Sequence, residues 1–127
     1  MLNYLLVALG GALGSVARYL VGKQALRAFG IGWPYGTFVA NVTGGLCMGL
    51  LVGLLAHRGG ADQERWRLLL GVGALGGYTT FSSFSLEAAL MIERREVLGA
   101  AFYAAASVGL SVIALFAGML IARRIFA

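Results

Sequence analysis

The stretch Gly76-Gly77-Tyr78-Thr79-Thr80-Phe81-Ser82-Ser83-Phe84-Ser85 decides how this chain is read. It lies inside residues 68–91, an apolar run long enough to cross a bilayer, which takes about 20 such residues. Its centre nevertheless carries two glycines, five hydroxyls from Thr and Ser, and no charge. Lipid offers a loosened backbone no hydrogen bonds, so such a segment survives only where protein buries it or where it lines a cavity. The stretch therefore points to a permeation or binding site.

The 127 residues are 60% hydrophobic and 12% charged, where a soluble domain carries about 25% charged residues. Four apolar stretches, at about residues 2–21, 34–56, 68–91 and 97–122, make up nearly all of the chain. Each is long enough to span, given tilt. The first is no convincing signal peptide, because no Lys or Arg precedes it and the run is too long, so it reads as a transmembrane helix. The connections are too short for a soluble domain. The expectation is an all-α membrane protein of one four-helix domain over residues 1–127. The formal charge of +5 is spread over helix ends, where Lys and Arg meet headgroups, and makes no nucleic-acid patch. Cys47, the single cysteine, reads as a small buried filler in the second span.

Lys and Arg in short connections normally set orientation. With four spans, Arg58, Arg65, Arg67, Arg123 and Arg124 share the side of the termini; Arg18, Lys23, Arg27, Arg94 and Arg95 lie opposite. Five against five gives no preferred orientation. Two readings stand: a weakly biased protein oriented by other factors, or copies that insert both ways and pair as an antiparallel dimer. The small size of the chain favours the second, since four helices enclose little space for a pathway.

Small residues four apart share one helix face and let backbones approach closely. Gly10 and Gly14 do this in the first span, and Gly45, Gly49 and Gly53 in the second. These are packing surfaces first. The second stripe extends backward through Asn41 to Thr37, placing an amide and a hydroxyl on the close-packed face. In the fourth span Tyr103, Ser107 and Ser111 repeat the spacing as a polar ridge. Each serine singly would bond its own helix; three hydroxyls in register, facing a polar break, favour a lined path. Phe81 and Phe84 are three apart and embedded among hydroxyls. Their ring edges carry partial positive charge and could contact a small anion without holding it tightly.

Other motifs dissolve on inspection. Gly71-Val72-Gly73-Ala74-Leu75-Gly76 matches the dinucleotide-binding pattern but runs through an apolar span rather than from a strand into a helix. Asn41-Val42-Thr43 matches a glycosylation sequon at membrane depth, where no acceptor loop can be. His57 has no partner at metal-ligand spacing, and no nucleophile–base pair is visible, so the chain does not read as an enzyme. Of the five acids, only Glu87 lies well inside a span, which makes it a functional candidate or a residue at a water-filled mouth. Arg18 either snorkels to the headgroups or lends positive potential to an anion vestibule.

At these residues the chain resembles the CrcB/Fluc fluoride channels along essentially its whole length. Gly10-Gly11-Ala12-Leu13-Gly14-Ser15-Val16-Ala17-Arg18-Tyr19 looks like that family's first-helix signature, and Gly36-Thr37 with Asn41 and Gly44 like its second. Residues 76–85 look like the third and most specific signature, with Ser83 where threonine is common. The resemblance implies an antiparallel, dual-topology homodimer in the plasma (inner) membrane, its third helices broken near the midplane. It implies two fluoride pathways and a central structural sodium ion on main-chain oxygens of Gly76 and Thr79 from each subunit. Carried over, the fluoride path uses Asn41, Phe81 and Phe84, with Thr37, Tyr103, Ser107 and Ser111 as a polar track and Ser82 beside it. Passive export of fluoride, relieving its toxicity, is the implied use. The partners expected are fluoride, the bilayer and a second copy of the chain, and no organic cofactor. The main rival is a small proton-coupled multidrug-type exporter, which needs an acid near the midplane; the first span has none and Glu87 comes late in the third. A non-conducting scaffold subunit would satisfy the glycine stripes but not the hydroxyl-rich segment.

Overall fold

The computed structural model describes residues 1–58 and 60–126. Helix α1 (Leu2–Phe29) continues well past the apolar stretch that ends near residue 21, because Lys23, Gln24 and Arg27 are good helix formers whose stems reach toward headgroups. It stops at Gly30, whose positive φ of 79° turns the chain and whose N–H closes on the Leu26 carbonyl at 2.9 Å. Helix α2 (Tyr35–Arg58) starts after Pro34, the only proline in the chain.

The third apolar stretch is divided. Its first part, α3 (residues 63–78), begins with the turn Gln63–Trp66, widens into π turns over Arg67–Leu75 and tightens again over Gly76–Tyr78. Thr79 and Thr80 then leave helical geometry, with ψ 155° at Thr79 and φ −150° at Thr80. Helix α4 (Phe81–Glu93) completes the stretch, and α5 (Val97–Phe126) follows. The described residues contain no strand. By length and apolar composition α1, α2 and α5 can each cross a membrane. The tight connection between α4 and α5 closes with Arg95 N–H on Ile92 O and Glu96 N–H on Met91 O, both 2.9 Å, with Arg95 left-handed at φ 63°. Near the start of α3 the Arg67 guanidinium bonds both oxygens of Glu64, at 2.9 and 2.7 Å, and holds that carboxyl below its usual pKa. Both groups are exposed, so the pair steadies one turn and little more.

Two glycine seams hold the helices together. Gly10 and Gly14 bring α1 against the α3 backbone; a Cβ on Gly14 would overlap the Ala74 carbonyl. The stripe on α2 meets α5: a Cβ on Gly45 would lie 2.7 Å from Ser111 O, and one on Gly49 would overlap Leu115 O. Without a hydrophobic drive between helices in lipid, such close backbone approach supplies the dispersion contacts that hold them. The same face of α2 carries Thr37 and Asn41, so the seam that packs α2 also aims its polar groups. Cys47, in contrast to the expected buried filler, lies exposed on the single chain, because it falls off that stripe.

Gly49→Leu is expected to destabilise the fold by about 3 kcal/mol or more, since neither backbone can yield. Gly109→Leu, where an added Cβ meets nothing within 4 Å, should leave a single chain's packing intact. Thermal melting and elution profiles in detergent distinguish the two.

Candidate ion-conduction site

The interruption at Thr79–Thr80 exposes main-chain groups, and side chains from two other helices meet them. Asn41 of α2 accepts the Thr80 N–H on Oδ1 at 2.8 Å and donates from Nδ2 to the Thr80 carbonyl at 3.1 Å. The Thr80 hydroxyl caps α4 by accepting the Ser83 N–H at 3.2 Å. The Thr79 hydroxyl donates back to the Leu75 carbonyl at 2.9 Å. Arg18 of α1 donates from Nε to the Gly77 carbonyl at 3.1 Å.

The diverted donors have a consequence for the carbonyls. In an unbroken α-helix the Thr80 N–H would close on the Gly76 carbonyl and the Ser83 N–H on that of Thr79. Here the first goes to Asn41 and the second to the Thr80 hydroxyl. The carbonyls of Gly76 and Thr79 are thus released from their helical partners. Gly76 is also exposed on the single chain, and a Cβ there would meet only Gly71 O at 3.7 Å. Nothing within the chain requires glycine at that position.

Beside the interruption lies a cavity of about 260 Å³ lined by Asn41, Thr79, Thr80, Phe81, Phe84, Ser107, Val108 and Ser111. The Ser107 hydroxyl is buried there with no hydrogen-bond partner, an arrangement that costs free energy unless something polar meets it. The Phe81 and Phe84 rings are 5.5 Å apart and tilted by 46°. Phe81 is 78% exposed on the single chain, a surface to be covered by lipid or protein.

The polar residues continue toward the α4–α5 turn. Tyr103, fully buried, donates its hydroxyl to Glu87 Oε2 at 3.2 Å, and Thr37 donates to Glu87 Oε1 at 2.5 Å. Phe84 and Trp33 pack against the Tyr103 ring, both at 5.1 Å between centroids. Glu87 and Thr37 also line a second cavity of about 370 Å³ together with Trp33 and Arg94. Seven of the eight residues read from the sequence as the fluoride path therefore fall at or between two cavities. Ser82 stands apart: it is exposed, outside the first cavity, with Oγ 3.3 Å from the Thr80 hydroxyl.

Thr80 is the residue that sequence reasoning passed over, although a threonine three positions before Ser83 at a helix start has the spacing of an N-cap. The partners of Arg18 and Glu87 were invisible locally, since Arg18 bonds a group 59 residues away and Thr37 lies 50 from Glu87.

Helices able to span, a two-residue interruption among them, and polar side chains converging on it define a multi-pass helical membrane protein with an internal polar site. Comparison with known proteins narrows this. A family model described as "CrcB-like protein, Camphor Resistance (CrcB)" matches residues 5–119. The chain is 71% identical over 126 residues to the "Fluoride-specific ion channel FluC" of Caulobacter sp. (strain K31), covering 99% of this chain and 98% of that protein. It is 63% identical over 127 residues to the protein of that name from Caulobacter vibrioides, covering all of both, and 52% identical over 124 residues to "Fluoride-specific ion channel FluC 2" of Nitrobacter hamburgensis, covering 98% of this chain and 99% of the relative. The chain belongs to the CrcB family, a family of channels rather than enzymes, and is a multi-pass protein of the inner membrane.

Thr80→Val removes the α4 cap and should lower stability by about 1 kcal/mol, while Thr80→Ser should restore it. Asn41→Asp keeps the acceptor for the Thr80 N–H and loses the donor, with an expected loss of about 1–3 kcal/mol. Chemical denaturation in mixed micelles measures each.

Proposed function

We propose that this protein is a fluoride channel, exporting the anion passively and so relieving its toxicity. The observation that carries the reading is the Ser107 hydroxyl, buried and unpartnered, in the cavity it shares with Ser111, Asn41, Phe81 and Phe84. Fluoride is small and tightly hydrated, so a pore must offer donors in place of water, each adequate and none excessive. Ser107 and Ser111 supply hydroxyls, Asn41 has a second amide hydrogen beyond the one given to Thr80, and the two rings offer edges. The relatives' name, fluoride-specific ion channel, supports the same anion. At the other end of the track, Thr37 and Tyr103 already turn their hydroxyls toward a carboxylate.

In this reading the working unit is an antiparallel, dual-topology homodimer with two pathways, its third helices broken near the bilayer midplane. The balanced charge supports it, and so does the exposure of Gly76 and Phe81, which a second copy would cover. The released carbonyls of Gly76 and Thr79 suit a hard monovalent cation, and a two-fold axis would bring a second pair opposite them. A sodium ion there would hold the dimer together and lend positive potential to nearby anions. The exporter alternative needs an acid free to exchange protons with cargo, whereas both Glu87 oxygens are already engaged by protein hydroxyls.

Reconstituted in liposomes, Phe81→Ile and Asn41→Asp should each slow fluoride efflux about ten-fold or more, the equivalent of roughly 1.4 kcal/mol on the barrier. Wild-type rates in both variants would remove these residues from the path. Adding two Lys to one side should bias insertion and cut activity when that variant is expressed alone; unchanged insertion and activity would reject dual topology.

A further inference from the structure

Arg18 is the charged residue whose place the conduction pathway does not explain. A guanidinium within an apolar helix is costly unless it pairs or reaches water. Among the described residues the ion pairs are Arg67–Glu64 and Arg94–Glu96, so Arg18 pairs with no acid. It is half-buried, lines a cavity of about 360 Å³ with Lys23 and Thr37, and sends Nε to the Gly77 carbonyl at 3.1 Å. That carbonyl lies between the two that the interruption releases, Gly76 and Thr79.

The seam beneath explains why the bond can form and stay in register. A Cβ on Gly77 would sit 2.6 Å from Gly11 O, so α1 and α3 are in backbone contact one and a half to two turns before Arg18 on the same helix. A charge-assisted bond to one carbonyl is stronger than a neutral one and directional. Fixing the 77–78 peptide plane constrains the chain on both sides of it, and so the directions of the Gly76 and Thr79 carbonyls. It also sets a guanidinium charge beside the Gly77 oxygen, which disfavours that oxygen as a cation ligand.

We propose that Arg18 is a positioning residue for the cation site: its bond to Gly77 O orients the Gly76 and Thr79 carbonyls, and its charge disfavours the Gly77 carbonyl as a further ligand. This rests on the sodium reading given above, and the test separates the two. The purified full-length protein is melted in detergent across a sodium titration, with N-methylglucamine as the replacing cation. The wild type should melt higher as sodium rises, with a half-saturating concentration that is read directly. Arg18→Met, which keeps an unbranched stem and loses every donor, should raise that concentration about ten-fold, as expected for loss of one charge-assisted bond acting on the site. Arg18→Gln retains an N–H donor and should recover part of the shift, which a purely packing role for the stem would not produce. Should Arg18→Met fail to fold, Arg18→Leu carries the same test, because it too keeps an apolar stem and has no donor. A half-saturating concentration within about two-fold of wild type in the folded variant would overturn the assignment and leave Arg18 as a snorkelling residue. A wild type with no sodium response would instead remove the cation site itself, and the positioning role with it.

Discussion

The structure turns on the hydrogen bonds of two residues. Thr79 and Thr80 interrupt a helix within an apolar stretch, where an unmet main-chain group costs several kcal/mol and water is scarce. Most of these groups are met from other helices. Asn41 takes both the N–H and the carbonyl of Thr80, Arg18 takes the carbonyl of Gly77, and the two threonine hydroxyls serve the helix ends on either side. Three elements distant in sequence are tied to one irregular point. The carbonyls of Gly76 and Thr79, by contrast, have lost their helical donors and are left to other partners.

The glycine seams are the precondition for this arrangement. Side chains as short as asparagine reach a main chain on a neighbouring helix only if the backbones nearly touch. On α2 one stripe runs from Thr37 on Glu87, through Asn41 on Thr80, to Gly45 on Ser111 and Gly49 on Leu115. Packing and polar contact thus alternate along a single face. The glycines of α1 bring Arg18 within reach of Gly77 in the same way. Rigid backbone contact and a fixed polar site are here one feature seen at two scales, because a seam that slipped by one residue would turn the amide of Asn41 away from Thr80.

Much of this was legible in the sequence because it is local or periodic. Two glycines and five hydroxyls within an apolar run mark where the backbone departs from helix, and spacing by four marks the seams and the ridge of Tyr103, Ser107 and Ser111. What was not legible is what depends on distant partners or on the direction of a side chain. The length of α1 beyond residue 21 escaped because hydropathy measures lipid contact, whereas helices continue into the headgroup layer. The π turns of α3 leave no periodic signature. Ser82 shares its chemistry with Ser107 yet faces elsewhere, since composition does not say which side of a helix start a hydroxyl occupies. Thr80 went unread because its backbone, rather than its hydroxyl, is what Asn41 grips.

The most direct measurement is anion flux from purified protein in liposomes, comparing fluoride with chloride, with a proton gradient imposed and with none. A path lined by hydroxyls, one amide hydrogen and ring edges should pass fluoride at a rate independent of the proton gradient and exclude chloride. Fluoride movement that appears only with the gradient, or equal passage of the two halides, would contradict it.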